Sequence, residues 1–177
     1  MVDDGHELAE ALRRAAERHR VHLRPGQPGR DALIAAIREY RALFRPDSLD
    51  RLKTQRRFAL EAMEAFADLA PRLAGPLVEG DGPLDLIRLL VHAEAPETVA
   101  LALTDRHIPW RPGDLTLMHS AGQRRAHPAF RFVAGGNRVE IVVLNEADRS
   151  DPPRDPLSAA RLPTLDRKDL AERLGNA

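Results

Sequence analysis

Histidine is the residue type in this sequence best suited to chemistry, because an imidazole binds metal ions and exchanges protons near neutral pH. The chain has seven, and their spacing predicts neither a helical His-x-x-x-His pair nor a compact ligand cluster: positions 6, 19, 22, 92, 107, 119 and 127. If the strands of His92 and His119 paired, Glu94 could complete a three-ligand metal site. Two histidines on neighbouring strands coincide easily by chance, and we therefore expect no metal centre.

Most other catalytic groups are excluded by the sequence. The chain has no cysteine, which rules out disulfides, thiolate metal sites and cysteine nucleophiles. Ser120 is followed by Ala121 and Gly122 and lacks the flanking glycines of a Gly-x-Ser-x-Gly nucleophile elbow. Phosphate-binding loops, dinucleotide fingerprints and nucleic-acid motifs are also absent. One tryptophan, one tyrosine and five phenylalanines leave little surface for stacking bases, so nucleic acid is not an expected partner.

The charges of the chain indicate no general attraction to nucleic acid or anionic lipid. Twenty-seven basic residues balance twenty-seven acidic ones. Only Lys53 and Lys168 are lysines, and an arginine bias can accompany phosphate recognition because the guanidinium group binds oxyanions in pairs. Beside so much alanine, proline and leucine, the bias is explained more simply by coding composition. The basic run from Lys53 to Arg57 is likewise explained by a solvated helix face.

The length and hydropathy of the chain are those of an ordinary globular protein. Its 177 residues suit one domain with a helical appendage. The longest apolar run, from Leu84 to Ala95, is shorter than the roughly 20 residues that a bilayer span needs and contains charged residues. The N-terminus, with Asp3 and Asp4, lacks the basic and apolar parts of a signal peptide. We therefore expect a cytoplasmic protein without a membrane partner.

Residues 1–71 are predicted to form a helical N-terminal region. Apolar residues recur at helical spacing in three stretches, separated by turn residues and beginning at Leu8, Leu33 and Leu52. Asp47 or Ser48 is the predicted N-cap of the third helix, which should end before residue 71. Its broad apolar side, residues 58–66, fits packing on a sheet and a homodimer interface equally well.

Residues 72–177 are predicted to form an α+β domain. Alternating apolar residues and glycine turns indicate strands, and 3.6-residue periodicity indicates helices. The predicted elements are a short strand at Leu77-Val78, a strand from Asp85 to Ala93, a helix from Pro96 to His107, a strand from Leu115 to Met118, a hairpin of Ala129–Val133 and Arg138–Leu144, and a final helix from Leu165 to Leu174.

Six short segments are similar to those of a known family: Ile37–Phe44, Arg57–Met63, Gly75–Gly80, Val91–Val99, Ile108–Trp110 and the hairpin pair 130–132 with 139–141. By these segments the chain, from about residue 30 to about residue 175, resembles an uncharacterised bacterial family of nucleotidyltransferase-like proteins. The resemblance implies the minimal nucleotidyltransferase fold, with N-terminal helices followed by a mixed β-sheet and flanking helices. It implies no reaction, because none is established for that family.

Working nucleotidyltransferases use three carboxylates to hold two divalent cations. By the resemblance, their glycine turn falls on Gly80-Asp81, the paired carboxylates on Leu86 and Arg88, and the third carboxylate on Glu140. Asp85 neighbours the pair, but the alternation of a strand sends it to the opposite face. One carboxylate out of three cannot assemble a two-metal site, so the resemblance predicts the fold without its usual chemistry.

The cleft that holds the two metal ions in working nucleotidyltransferases could still bind a ligand in this protein. Arg88 occupies the place of a metal ligand and could neutralise a phosphate directly. The ligand-binding residues expected on this basis are Gly80, Asp81, Arg88, Arg124, Arg125 and Glu140, with His127 and Arg131 near the cleft mouth. The simpler alternative is that Arg88 and Glu140 form a structural ion pair and the other arginines are solvated.

The leading hypothesis is therefore a nucleotidyltransferase-like pseudoenzyme that acts as a binding or interaction module. Its candidate partners are a nucleotide or other phosphate-bearing small molecule, a protein partner, or a second copy of the chain. The alternative is an active transferase that uses Asp81, Asp85 and Glu140 with Mg²⁺ to transfer a nucleotidyl group from a nucleoside triphosphate. A third reading is a purely structural protein whose cleft is closed by Leu86, Leu90 and the C-terminal segment.

Overall fold

The computed structural model describes residues 47–80, 83–156 and 159–175. The first two predicted helices, and Asp81, lie outside these ranges. The described elements, in chain order, are α1 (Asp47–Ala65), β1 (Arg72–Ala74), α2 (Pro76–Glu79), β2 (Leu86–His92), α3 (Glu97–Asp105), β3 (Arg111–Met118), β4 (Arg124–Ala134), β5 (Asn137–Leu144), β6 (Thr164–Leu165) and α4 (Arg167–Gly175). Short 3₁₀ segments lie at Ala67–Leu69, Ser120–Gly122 and Glu146–Arg149.

The six strands form one mixed sheet in the order β3-β4-β5-β2-β1-β6. Strands β2 and β5 are parallel, while the other neighbouring pairs are antiparallel. A parallel pair cannot be joined by a tight turn, and here α3 and the β3–β4 strands lie between β2 and β5 in the chain. The expected α+β class with a mixed sheet is confirmed. The finer assignment to the nucleotidyltransferase fold stays a prediction.

One face of the sheet carries the main core. On β2 the alternate residues Ile87, Leu89 and Val91 are buried on this face, as the alternation of the sequence predicts. The helices contribute further buried side chains to the same core: Met63 and Phe66 from the α1 region, Leu103 from α3 and Leu170 from α4. The α1 region therefore shares its core with the sheet.

Helix α1 packs through the apolar stripe predicted for it. Ala59 and Met63 are buried, as is Phe66 just after the helix, and their spacing places all three on one side. Phe58 and Leu60 are partly buried against the same core, so packing on the sheet accounts for the broad apolar side. None of the helices in the described ranges is long and apolar enough to cross a membrane.

The opposite face of the sheet carries a smaller core and is partly covered by the C-terminal segment. Leu90, Ala129 and Val142 belong to this second cluster, and Leu162 packs against it. The backbone of Arg154 also donates a hydrogen bond of 2.7 Å to the carbonyl of Met118, at the end of β3. Arg154 and Leu162, which follow β5 in the chain, thus cover part of this second face.

The predicted strand at Leu77-Val78 is wrong. These residues lie in the short helix α2, which has Pro76 in its first turn and Gly80 as its C-cap at a φ of 73°. Proline is favoured in a first helical turn and glycine in a left-handed cap, so the local signals indicate a helix. The strand of this region, β1, precedes it and has only three residues, too few to show a period.

The hairpin of β4 and β5 is confirmed. Gly135 and Gly136 form its two-residue turn with φ values of 56° and 78°, which a residue with a side chain rarely adopts. Ala134 pairs with Asn137, and the register continues so that Arg131 lies opposite Glu140. The turn therefore fixes which side chains meet on these two strands.

The final helix begins at Arg167, two residues later than predicted. Leu165 instead belongs to β6, which pairs with β1. Asp166 accepts a hydrogen bond of 2.9 Å from the backbone N–H of Asp169, as residues that precede a helix commonly do.

Candidate functional site

Arg88, Glu140 and Arg131 form a row across three adjacent strands. Arg88 of β2 is the register partner of Glu140 in the parallel β2–β5 pair. Glu140 is in turn the register partner of Arg131 in the antiparallel hairpin. Side chains of directly paired residues project from the same face of a sheet, so one carboxylate lies between two guanidinium groups.

Each oxygen of the Glu140 carboxylate accepts a hydrogen bond from a different arginine. Arg88 Nε donates to Oε2 at 2.7 Å, and Arg131 Nε donates to Oε1 at 2.7 Å. Arg131 also donates from Nη2 to the carbonyl of Asp114 at 3.0 Å. The Arg88–Glu140 pair is the one that the sequence predicts, whereas Arg131 as its second partner was not foreseen.

The electrostatics of this row keep Glu140 ionised. Burial by itself raises the pKa of the carboxyl, but the charges and hydrogen bonds of Arg88 and Arg131 outweigh it and lower the pKa below its ordinary value. The Arg88 side chain is 12% exposed and that of Arg131 is 47% exposed, so solvent reaches mainly one end of the row. Each oxygen of this carboxylate already has a guanidinium partner, so a divalent cation would have to bind beside two positive charges.

Gly80 is a packing residue in this structure. It is buried, and a β-carbon built on it would lie 3.0 Å from Cδ2 of Leu52 on α1. Its predicted role in ligand binding needs an exposed backbone that phosphates can approach. Contact with α1 and the left-handed cap of α2 both account for glycine at this position.

Two of the three candidate carboxylates of the alternative hypothesis, Asp85 and Glu140, pair with arginine. Asp85 forms an ion pair with Arg138 at the protein surface, with 3.2 Å between Oδ2 of Asp85 and Nη1 of Arg138. Glu140 is held by Arg88 and Arg131. Asp81 lies outside the described residues. Of the three, the two that the structure describes have cationic partners of their own.

Arg124 and Arg125 lie away from this row. Arg125 is six residues from Arg131 along β4, which corresponds to roughly 20 Å in an extended strand. Arg125 pairs instead with Asp148 at 3.2 Å and Asp151 at 2.6 Å, and Arg124 is exposed. The predicted ligand-binding residues are therefore not brought into one site.

A second polar cluster contains two of the histidines. Strands β2 and β3 are separated by β4 and β5, so the pairing that would bring His92 to His119 does not occur. Instead, Nε2 of His119 lies 2.9 Å from Nε2 of His127, and Asp148 lies beside both rings. Sequence analysis missed this cluster. The available signal was that the two histidines flank a tight turn containing Gly122.

Comparison with known proteins adds no family to this geometry. No protein-family model matches the chain, and neither a curated protein nor a solved structure matches it. The resemblance to nucleotidyltransferase-like proteins therefore stays a prediction, and inferences about function depend on the two side-chain clusters.

Proposed function

We propose that this protein is a non-catalytic, nucleotidyltransferase-like binding module. It binds a phosphate-bearing small molecule, and the binding does not require a divalent metal ion. The observation that supports the proposal is the row of Arg88, Glu140 and Arg131, in which both carboxylate oxygens accept hydrogen bonds from arginine. In a two-metal transferase the equivalent positions would hold cations.

A metal ion is disfavoured at this row for an electrostatic reason. To bind Glu140, a divalent cation would have to displace a guanidinium group from the carboxylate. Arg88 is nearly buried, so its charge would lose its anionic partner in a region of low dielectric and would also repel the incoming ion. The same argument weighs against the active transferase that uses Asp81, Asp85 and Glu140 with Mg²⁺.

An anion is favoured at the exposed end of the row. Arg131 is 47% exposed and the exposed Arg111 of β3 is its register partner, so two positive charges lie at this end of the row. Arg131 Nη1 lies against Gly113, where a β-carbon would collide with it. Guanidinium groups bind phosphate oxygens in a planar, bidentate manner, which suits a nucleotide or another phosphate ester.

Calorimetric titration with ATP, CTP, GTP and UTP, each with and without Mg²⁺ or Mn²⁺, tests the proposal. We expect binding without metal, weakened about tenfold or more by Arg131→Ala, because a charge-assisted hydrogen bond is lost. The matched control is Arg149→Ala, an exposed arginine that pairs with Glu146 outside the row.

The proposal fails if none of the four nucleotides binds, or if Arg149→Ala weakens binding as much as Arg131→Ala. Binding that depends on Mg²⁺ would favour the active transferase instead. In that case, transfer of a labelled nucleotide to an acceptor would be the next assay.

A further inference from the structure

Three metal-ligating side chains lie together in the interior at one end of the sheet. The side chains of His119 and Asp148 are fully buried, and that of His127 is 4% exposed. One ligand atom from each residue lies within 4.8 Å of the ligand atoms of the other two. The cluster is separate from the Arg88–Glu140–Arg131 row.

Three adjacent segments hold these side chains in place. His119 directly follows β3, and its backbone N–H donates to the carbonyl of Gln123 at 2.7 Å across the turn into β4. His127 lies within β4. Asp148 lies in the 3₁₀ segment after β5, where it forms a reciprocal capping box with Asn145. The backbone around all three groups is therefore hydrogen-bonded.

The hydrogen bond of His119 determines which of its nitrogens is free to bind an ion. Its Nδ1 lies 2.7 Å from the carbonyl oxygen of Asp151. A carbonyl can only accept a hydrogen bond, so Nδ1 carries the proton and the neutral ring has its lone pair on Nε2. Metal-binding histidines are commonly oriented by a carbonyl in this way.

The surroundings of His127 favour the same tautomer. Its Nδ1 lies 3.6 Å from a carboxylate oxygen of Asp148, and its ring also interacts with the backbone of Val143. With the proton on Nδ1, the Nε2 lone pairs of the two histidines face each other at 2.9 Å. They repel unless a proton or a metal cation lies between them.

The charges around the histidines also favour a cation. Asp148 and Asp151 each carry a negative charge, and Arg125 pairs with both of them. These three residues together leave an excess of one negative charge beside the two imidazoles. A bound cation would compensate that charge, while Arg125 and the capping box hold Asp148 in position.

We propose that His119, His127 and Asp148 bind a divalent transition metal of the zinc type. The two Nε2 atoms face each other, and an oxygen of Asp148, which lies beside Nδ1 of both rings, would have to turn toward the ion to complete the ligand set. Two imidazoles and one carboxylate suit Zn²⁺ better than Mg²⁺. Ligand atoms of a tetrahedral zinc site lie roughly 3.3 Å apart, given bonds of about 2.0 Å. The two nitrogens therefore need to separate by about 0.4 Å, a small side-chain adjustment. The ion would tie the segment after β5 to the β3–β4 hairpin.

Titration of the chelator-treated full chain with Co²⁺ and Zn²⁺ tests this site. We expect one Co²⁺ per chain with visible d–d absorption, which Zn²⁺ then displaces. Zn²⁺ at a hundredfold excess over its Kd should raise the Tm by about 5–10 °C, because it binds the folded state alone. His127→Gln should weaken binding about a hundredfold or more, while the control His92→Gln, outside the cluster, should not.

X-ray absorption of the zinc-loaded wild-type chain keeps the test decisive if His127→Gln does not fold. The spectrum should show two imidazole ligands and a carboxylate oxygen. A wild-type chain that binds neither ion, binding that survives in folded His127→Gln, equal loss in His92→Gln, or a spectrum without two imidazoles would each overturn the proposal.

Discussion

Glu140 is the residue whose environment most restricts what its part of the sheet can do. It is 3% exposed and accepts one hydrogen bond from Arg88 and another from Arg131. A buried carboxylate is stable in its charged form only with such partners, and here both partners are arginines whose positive charge repels a metal ion. The structural stability of the row and its unsuitability for a metal thus have the same cause.

Glu140→Ala should reduce the free energy of unfolding by about 3 kcal/mol or more, because it removes the anion that compensates the nearly buried charge of Arg88. Urea denaturation measures the loss. Glu146→Ala, which removes the exposed partner of Arg149, is the control and should leave the unfolding midpoint unchanged. A loss below about 1 kcal/mol in Glu140→Ala would mean that the pair contributes little.

The same carboxylate predicts a pH dependence of stability. The pKa of Glu140 is lower in the folded chain than its ordinary value of 4.5, so its contribution is present above that pH and is lost as the pH falls through the folded pKa. The stabilities of the wild type and of Glu140→Gln should therefore differ most near pH 7, and the difference should shrink as the pH falls below 4.5. A difference that stays constant down to pH 3 would contradict the assignment.

At the scale of the elements, the contact between α1 and α2 gives Gly80 its role. The left-handed cap of α2 and the neighbouring Leu52 of α1 both disfavour a β-carbon at this position. Gly80 is therefore expected to stabilise the packing of two helices and to take no part in binding a ligand.

Gly80→Ala should reduce the free energy of unfolding by about 1–3 kcal/mol, through the left-handed backbone and the contact with Leu52. It should leave the nucleotide Kd unchanged. Gly175→Ala is the matched control, because a β-carbon there meets no other atom within 4 Å. A folded Gly80→Ala that loses nucleotide binding would show that this backbone contacts the ligand.

Local signals account for the elements that the sequence predicts well. The alternation in β2 and the two glycines of the hairpin turn each determine structure within a few residues, and both elements form as expected. The strand predicted at Leu77-Val78 was wrong for two reasons. The real strand, β1, has three residues and is too short to show a period. Leu77 and Val78 are apolar because they are buried in α2, and so short an apolar run does not distinguish a strand from a helix.

The side-chain clusters depend on register, which a single sequence specifies less directly. The Arg88–Glu140 ion pair was expected as the structural alternative to ligand binding, but the second partner of Glu140, Arg131, depends on the register of the hairpin. Asp148 comes to His119 and His127 only through the segment after β5, which no periodic pattern marks. Long-range placement of this kind was beyond the reach of motif and spacing.

At the scale of the whole molecule, the two clusters occupy separate regions of one sheet. Arg131 of β4 belongs to the row with Arg88 and Glu140, whereas His127 and Arg125 of the same strand belong to the other cluster. Both clusters include residues of β4, but the side-chain hydrogen bonds of Arg131 and those of His127 and Arg125 go to different partners. Nucleotide binding and zinc binding are therefore separate proposals, and the failure of one leaves the other standing.

The central claim is that the row around Glu140 binds an anion without a metal. Titration of the wild-type chain with ATP, in chelator and again in Mg²⁺, tests it most directly. We expect ATP to bind in chelator, with a Kd that changes by no more than about threefold when Mg²⁺ is present. Binding that appears only with Mg²⁺, or no binding under either condition, would contradict it.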